Sequence, residues 1–181
     1  MHSTPSHHIQ DRGRPHSASR PFSDIIRLLV LTGQRRQEIG GLQWSEVDFE
    51  RNLVVLPPER SKNNRQHELP ISTQVRTILE RQPRRNKWVF GRRWLSWGNP
   101  KANLDAKLDG VAPWRLHDLR RSCATGMAEL GVLPHVIEAV LNHVSGHKSG
   151  VAGIYNRAKY ADEMRSALQR WADRVDTLTQ G

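Results

Sequence analysis

The chain has 181 residues, 28 of them Lys or Arg against 18 Asp or Glu, for a formal charge of +10 at neutral pH. That length fits one domain with a core of its own. A protein built of membrane helices is excluded, because the longest greasy stretch, Ile25 to Leu31, is broken by Arg27 and falls well short of the roughly 20 residues a span needs. A single cysteine, Cys123, excludes an intrachain disulfide framework and a multi-cysteine zinc site. With no hydrophobic signal core at the N-terminus, a soluble, cytoplasmic protein is expected.

Residues 1–20, rich in His, Ser, Pro and Arg without apolar periodicity, read as a disordered leader, and residues 21–181 as the domain. From Pro21 the pattern turns helical, with Phe22, Ile25, Ile26, Leu29 and Leu31 on one face and Gly33 as a stop. A short helix is expected over Arg35 to Leu42. Short strands follow at Val47 to Phe49, Leu53 to Leu56 and Gln66 to Leu69, punctuated by Pro57-Pro58 and Asn63-Asn64. Ser72 can cap a helix running to about Arg81, with Val75, Ile78 and Leu79 inward. Further on, Leu116, Leu119, Cys123, Met127 and Leu130 recur at steps of three and four, one buried stripe of a helix ending near Gly131. Pro134 opens another helix with Val136, Ile137, Val140 and Leu141 apolar, a loop follows around Ser145 to Gly150, and a last helical region is expected from Val151 through Trp171. The fold class is therefore mainly α with a small antiparallel β-sheet (α+β).

The charge is concentrated. Residues 81–101 carry seven basic side chains, Arg81, Arg84, Arg85, Lys87, Arg92, Arg93 and Lys101, with no acid, interleaved with Trp88, Phe90, Trp94 and Trp97. Cations neutralise phosphates and flat rings pack on sugars or bases, so the first six are candidate DNA-binding residues. A solvated basic loop whose tryptophans belong to the core is an equal alternative.

On the stripe-bearing helix, His117 and Arg120 lie three apart and project from one face. An imidazole moves protons near neutral pH and a guanidinium grips two phosphate oxygens, so the pair can converge on one ligand. The ordered series Thr32-Gly33-Gln34-Arg35-Arg36-Gln37-Glu38, Lys62 at a hairpin tip, His117-Asp118-Leu119-Arg120, Leu141-Asn142-His143 and Tyr155 resembles the tyrosine recombinases, or phage integrase family. Through Leu141 to Gly146 and Gly150 to Arg157 it looks most like integrases of genomic islands and satellite prophages.

That resemblance, covering roughly residues 21–175, implies the tyrosine recombinase catalytic-domain fold and a set of catalytic roles. Tyr155 would attack a DNA phosphodiester to give a 3′-phosphotyrosyl link and a free 5′-hydroxyl. Arg35 and Arg120 would hold the non-bridging oxygens with a further bond from His143, Lys62 would protonate the departing 5′-oxygen, His117 would assist proton transfer, and Glu38 would buttress the site. Two guanidiniums supply the charge that bound cations supply in many nucleases, so neither metal nor cofactor is expected. A phenol with an ordinary pKa of about 10 needs such a cationic pocket to act as a nucleophile.

Rivals exist at several positions: Tyr160 for Tyr155, Arg36 for Arg35, and Arg60 or Arg65 for Lys62. The motif frames favour the residues named above. His147, four after His143, has the spacing of a helical metal pair, but Ser145 and Gly146 between them argue for a loop. The resemblance further implies double-stranded DNA as partner and a homotetramer on DNA for the intact enzyme, while an isolated domain is compatible with a monomer. Complete integrases carry an N-terminal DNA-binding region, and the match here is expected to lack that region and the opening helix of the catalytic domain. Apolar surface from Phe22 to Leu31 would then be exposed. The segment Ala161 to Val175, with Leu168 and Trp171, would pack either on a neighbouring protomer or within its own chain. Two other functions compete with strand exchange: a catalytically weak DNA-binding remnant, and topoisomerase IB-like relaxation.

Overall fold

The computed structural model describes residues 20–143 and 160–180. Helix α1, Arg20–Thr32, is the centre of the core. Phe22, Ile25, Leu28, Leu29 and Leu31 are all buried on it, a spacing that lays one broad apolar stripe along the helix. It stops at Gly33, whose φ of +63° is a left-handed conformation that glycine adopts without a Cβ penalty, and whose N–H closes on the Leu29 carbonyl at 3.0 Å. Helix α2 is a single short stretch, Arg36–Gly40.

Three antiparallel strands follow in the order β1 (Val47–Asp48), β2 (Leu53–Leu56), β3 (His67–Pro70). Val47 stands opposite Val54, and Leu53 through Leu56 stand opposite Pro70 through His67. Helix α3, Thr73–Glu80, is capped by the Ser72 hydroxyl, which accepts from the Val75 N–H at 3.3 Å, and buries Val75, Ile78 and Leu79 as expected. A short helix α4, Gly98–Asp105, closes the basic segment and was not foreseen; its apolar content is too low to show a stripe. Then come α5 (Leu116–Glu129), α6 (Pro134–Val140) and α7 (Ala161–Gln180). The last helix continues past Trp171 because Val175, one turn on, still packs against the core. Residues 151–159, the expected beginning of that region, lie outside the described residues. Among the described residues, no helix is long and apolar enough to cross a membrane.

Helices α3, α5 and α7 all pack on α1. The expectation of an exposed apolar face from Phe22 to Leu31 is therefore corrected. Phe22 is covered by Trp94 and Trp97, with ring centroids 5.8 and 6.5 Å away, and the Trp171 indole N–H donates to the Val30 carbonyl at 2.8 Å. The apolar face of α7, with Met164, Ala167, Leu168 and Trp171 buried, packs within its own chain. Polar bonds reinforce it: Thr73 N–H to Gln169 Oε1 at 3.0 Å and Gln74 Nε2 to Asp173 Oδ1 at 2.9 Å.

Close approach of α5 and α7 depends on Gly126, where a Cβ would run into the Trp171 ring. Gly126→Ala is therefore expected to lower stability by about 1–3 kcal/mol despite alanine's better helix propensity, read as a lower urea midpoint. Cys123, one turn before Gly126 on α5, is fully buried, and burial pushes its thiol up to about 12, against a smaller pull from the Arg120 charge. Iodoacetamide at mildly alkaline pH is expected to leave the folded protein unmodified and to alkylate it in denaturant, as read by mass spectrometry.

Candidate active site

One cleft of about 610 Å³ opens between the α1–α2 turn, the β2–β3 loop and the start of α5. Arg35, Lys62, His117 and Arg120 all line it, joined by Arg36, Arg93 and Arg115. Four of the six residues expected from the sequence are thus brought together from three separate stretches of chain. His143 is exposed one residue beyond Asn142, at the end of α6, outside the cleft lining. Tyr155, together with Ser145, Gly146 and His147, lies outside the described residues.

Arg35 sits just before α2 in extended conformation, φ −74° and ψ 145°, and not in the helix as expected. Glu38, buried, fixes it twice: one carboxylate oxygen accepts the Arg35 backbone N–H at 2.8 Å and the other meets its guanidinium at 3.1 Å. The acid at the third helical position thus satisfies an orphan N–H of the helix start while aiming the cation. Arg115 and Asp118 repeat the backbone half of this device at the start of α5, at 2.8 Å. It places His117 and Arg120 at the cleft.

Arg120 is buried, and its guanidinium donates to two backbone carbonyls, Gly33 through Nη1 and Leu141 through Nη2, each at 2.7 Å. Burial, followed by the nearby Arg35 charge, lowers its pKa to about 10, with Glu38 and Cys123 acting the other way. It remains a cation at neutral pH. Arg35 and Arg120 line the same cleft, so an anion held there would offset the repulsion between two nearby cations.

The end of α6 fastens these parts. Asn142 takes a left-handed φ of +48°; its N–H bonds the Ala139 carbonyl at 3.1 Å and the His143 N–H bonds that of Glu138 at 2.9 Å, the pattern of a Schellman cap. The carbonyls that this cap leaves open are taken by other motifs. Val140 accepts from Gln34 Nε2 at 2.8 Å and lies 3.2 Å from His67 Nε2, and Leu141 accepts from Arg120.

Arg60 ties the β2–β3 loop to α2. Its guanidinium grips both oxygens of buried Glu46 at 2.7 and 3.0 Å and donates to the Glu38 carbonyl at 2.9 Å. A Cβ at Gly41 would strike that guanidinium. Arg60 is therefore an anchor of the loop that carries exposed Lys62.

The basic segment divides. Trp44 N–H donates to the Lys87 carbonyl, Val89 N–H to that of Leu42, and Trp94 N–H to that of Gly40, at 2.9–3.0 Å, so the segment is stitched beside α2. Phe90, Trp94 and Trp97 are buried and belong to the core, the second of the two readings open for these rings, rather than forming stacking surfaces for bases. Arg81 pairs with Asp24, Arg84 lies over Trp44 at 4.8 Å, Lys87 over Trp88 and Arg92 over Trp94 at the same distance. Arg85 is exposed, and Arg93 reaches the cleft. Sequence reasoning passed over Arg115, Gln34, Ser61, Asn63 and Asn142 as site residues. An Asn at a helix end, directly before a candidate histidine, was the one local signal available for Asn142.

Known proteins resemble this chain in sequence and in fold. The model of the phage integrase family matches residues 8–162. Prophage integrase IntZ of Escherichia coli K12 is 30% identical over 163 residues, 86% of this chain and 40% of that protein. Prophage integrase IntA of the same strain is 32% identical over 162 residues, 84% of this chain and 38% of that protein. The chain thus spans about two fifths of the length of each. Among solved structures, the integrase from mycobacterium phage Brujita shares the fold with a TM-score of 0.59 at 20% identity, over 87% of this chain and 53% of that one. A fold of this kind, a cationic cleft assembled from ordered motifs, and a family match over most of the residues lead to one assignment: the chain belongs to the phage integrase family, the tyrosine recombinases.

Proposed function

We propose that this chain supplies the catalytic domain, assigned to residues 21–181, of a site-specific DNA recombinase that cleaves and rejoins strands through a 3′-phosphotyrosyl intermediate. The observation that carries the reading is the convergence of Arg35, Arg120, His117 and Lys62 on one cleft. In the proposed step the Tyr155 oxygen bonds to the scissile phosphorus as the bond to the 5′-oxygen breaks. The tyrosine proton leaves through His117, and Lys62 gives a proton to the 5′-oxygen. Arg35 and Arg120, with His143, hold the non-bridging oxygens as charge develops on them. The phosphodiester energy stays in the protein link, so the reverse step rejoins a strand without ATP and without a metal or cofactor.

Double-stranded DNA is the proposed partner. Arg36, Arg93 and Arg115 around the cleft supply cations beside the reacting pair, and Arg85 and Arg92 extend the positive surface, with Arg81, Arg84 and Lys87 held at its edge by the contacts above. A fold neighbour, the Tn1549 transposon integrase, was solved in complex with circular intermediate DNA, which supports this choice. In the intact enzyme the domain works in the cytoplasm as part of a homotetramer on DNA.

A pool of nicked duplexes of varied sequence, from which the cleaved fragment escapes, is expected to yield a protein–DNA adduct on denaturing gels in EDTA with wild-type protein. Tyr155→Phe is expected to form none, whereas an adduct with Tyr155→Phe contradicts the assignment of the nucleophile. A folded protein that shifts DNA yet never forms an adduct contradicts the enzymatic reading. Arg93→Gln and Arg115→Gln are each expected to weaken duplex binding evenly across sequences and to reduce the salt slope by about 1. Titrations at several ionic strengths measure this.

A further inference from the structure

Lys62 lies on an exposed part of the β2–β3 loop, and both of its chain neighbours are held by one residue from another motif. Asn142 donates through Nδ2 to the Ser61 hydroxyl at 2.9 Å, and its carbonyl accepts from Asn63 Nδ2 at 2.6 Å. Asn142 and Ser61 are buried, so the bond between them is shielded from bulk water, while Asn63 is half-buried. The left-handed backbone at Asn142 turns its side chain and its carbonyl toward the loop together, and asparagine tolerates that conformation better than other residues with a Cβ. The preceding carbonyl, Leu141, receives Arg120.

We propose that Asn142 is a positioning residue for the proton donor: it clasps the loop on either side of Lys62 and sets the ammonium in register with the Arg120 guanidinium before DNA arrives. The inference rests on the recombinase reading above, in which Lys62 protonates the 5′-oxygen. A lysine ammonium ends a flexible four-carbon stem, so its aim depends on where its backbone is fixed. A proton donor must come within hydrogen-bond reach of the leaving oxygen, and a misplacement of about 1 Å can cost on the order of 100-fold in rate. Arg60 anchors the start of the loop to α2, and a local turn closes around Lys62 through the Asn64 N–H to the Ser61 carbonyl at 3.1 Å, but the Asn142 bonds tie both neighbours of Lys62 to the motif that also receives Arg120.

The test separates aim at the leaving group from general damage. Asn142→Gly keeps the left-handed backbone and removes the side-chain bond; Asn63→Ala removes the other bond without touching Asn142. Single-turnover cleavage is measured on the duplex identified by the adduct assay, once with an ordinary scissile phosphate and once with sulfur replacing the 5′-bridging oxygen. An alkoxide must be protonated as it leaves, whereas a thiolate leaves without a proton. Each variant is expected to cleave the oxygen duplex about 10- to 100-fold more slowly than wild type and the sulfur duplex within about threefold of wild type. Equal losses on both duplexes, or no loss on either, overturn the clasp while leaving the recombinase reading intact. A duplex pool on which folded wild-type protein forms no adduct at all overturns that reading, and this inference with it.

Discussion

The cleft depends on a buried arginine that bonds to the backbone at two places far apart in sequence. Arg120 joins the Gly33 carbonyl, at the end of α1, to the Leu141 carbonyl, at the end of α6. Removing a guanidinium from water is costly, and the fall of its pKa to about 10 is the signature of that cost, with the Arg35 charge adding to it. Hydrogen bonds from a charged donor return about 1.5–3 kcal/mol each, so two of them offset much of the penalty. A guanidinium has five N–H donors. Two are spent on carbonyls, and the planar fork leaves the others oriented for an anion. Lysine, with a rotating point charge, could not divide its donors this way.

The carbonyls are available because of how two helices end. The Schellman cap at Asn142 consumes the carbonyls of Glu138 and Ala139, leaving those of Val140 and Leu141 for Gln34 and Arg120. Gly33 ends α1 with a positive φ, and a Cβ there would press on Leu141 Cδ2 at 2.7 Å and Cys123 Sγ at 3.1 Å. The Thr32-Gly33-Gln34-Arg35 turn can thus sit directly on α5 and the end of α6. Glu38 then aims Arg35 from below, and Arg60 with Glu46 carries the lysine loop to the same side. Helix termini, normally places of unmet hydrogen-bonding capacity, are here the points from which the site is built.

Much of this was readable in the sequence where local rules act. The apolar spacing of α1, the Ser72 cap, the short strand over Leu53 to Leu56 and the i,i+3 relation of His117 to Arg120 each need only neighbours on one element, and the structure has them where expected. What was not readable depends on partners far along the chain. Arg60 looks like one more loop cation until Glu46 is folded beneath it. Trp94 and Trp97 look like nucleic-acid contacts because they stand among arginines, yet Gly40, distant in sequence, leaves the space in which Trp97 packs and covers Phe22. Arg81 and Arg84 read as free charge, but Asp24 and Trp44 hold them. The Phe22 to Leu31 face was expected to be uncovered because the match is expected to lack the catalytic domain's opening helix, yet α3, α5 and α7, with Trp94 and Trp97 over Phe22, bury it from elsewhere in the chain.

The most direct measurement of this account is nitrogen NMR of the arginine side chains in the DNA-free protein, with the Arg120 signals assigned through Arg120→Lys. A guanidinium pinned between Gly33 and Leu141 is expected to show hindered rotation, with separate Nη1 and Nη2 resonances whose protons exchange slowly, unlike exposed Arg121. A single averaged Nη signal for Arg120, matching that of Arg121, would contradict a cleft assembled before DNA binds.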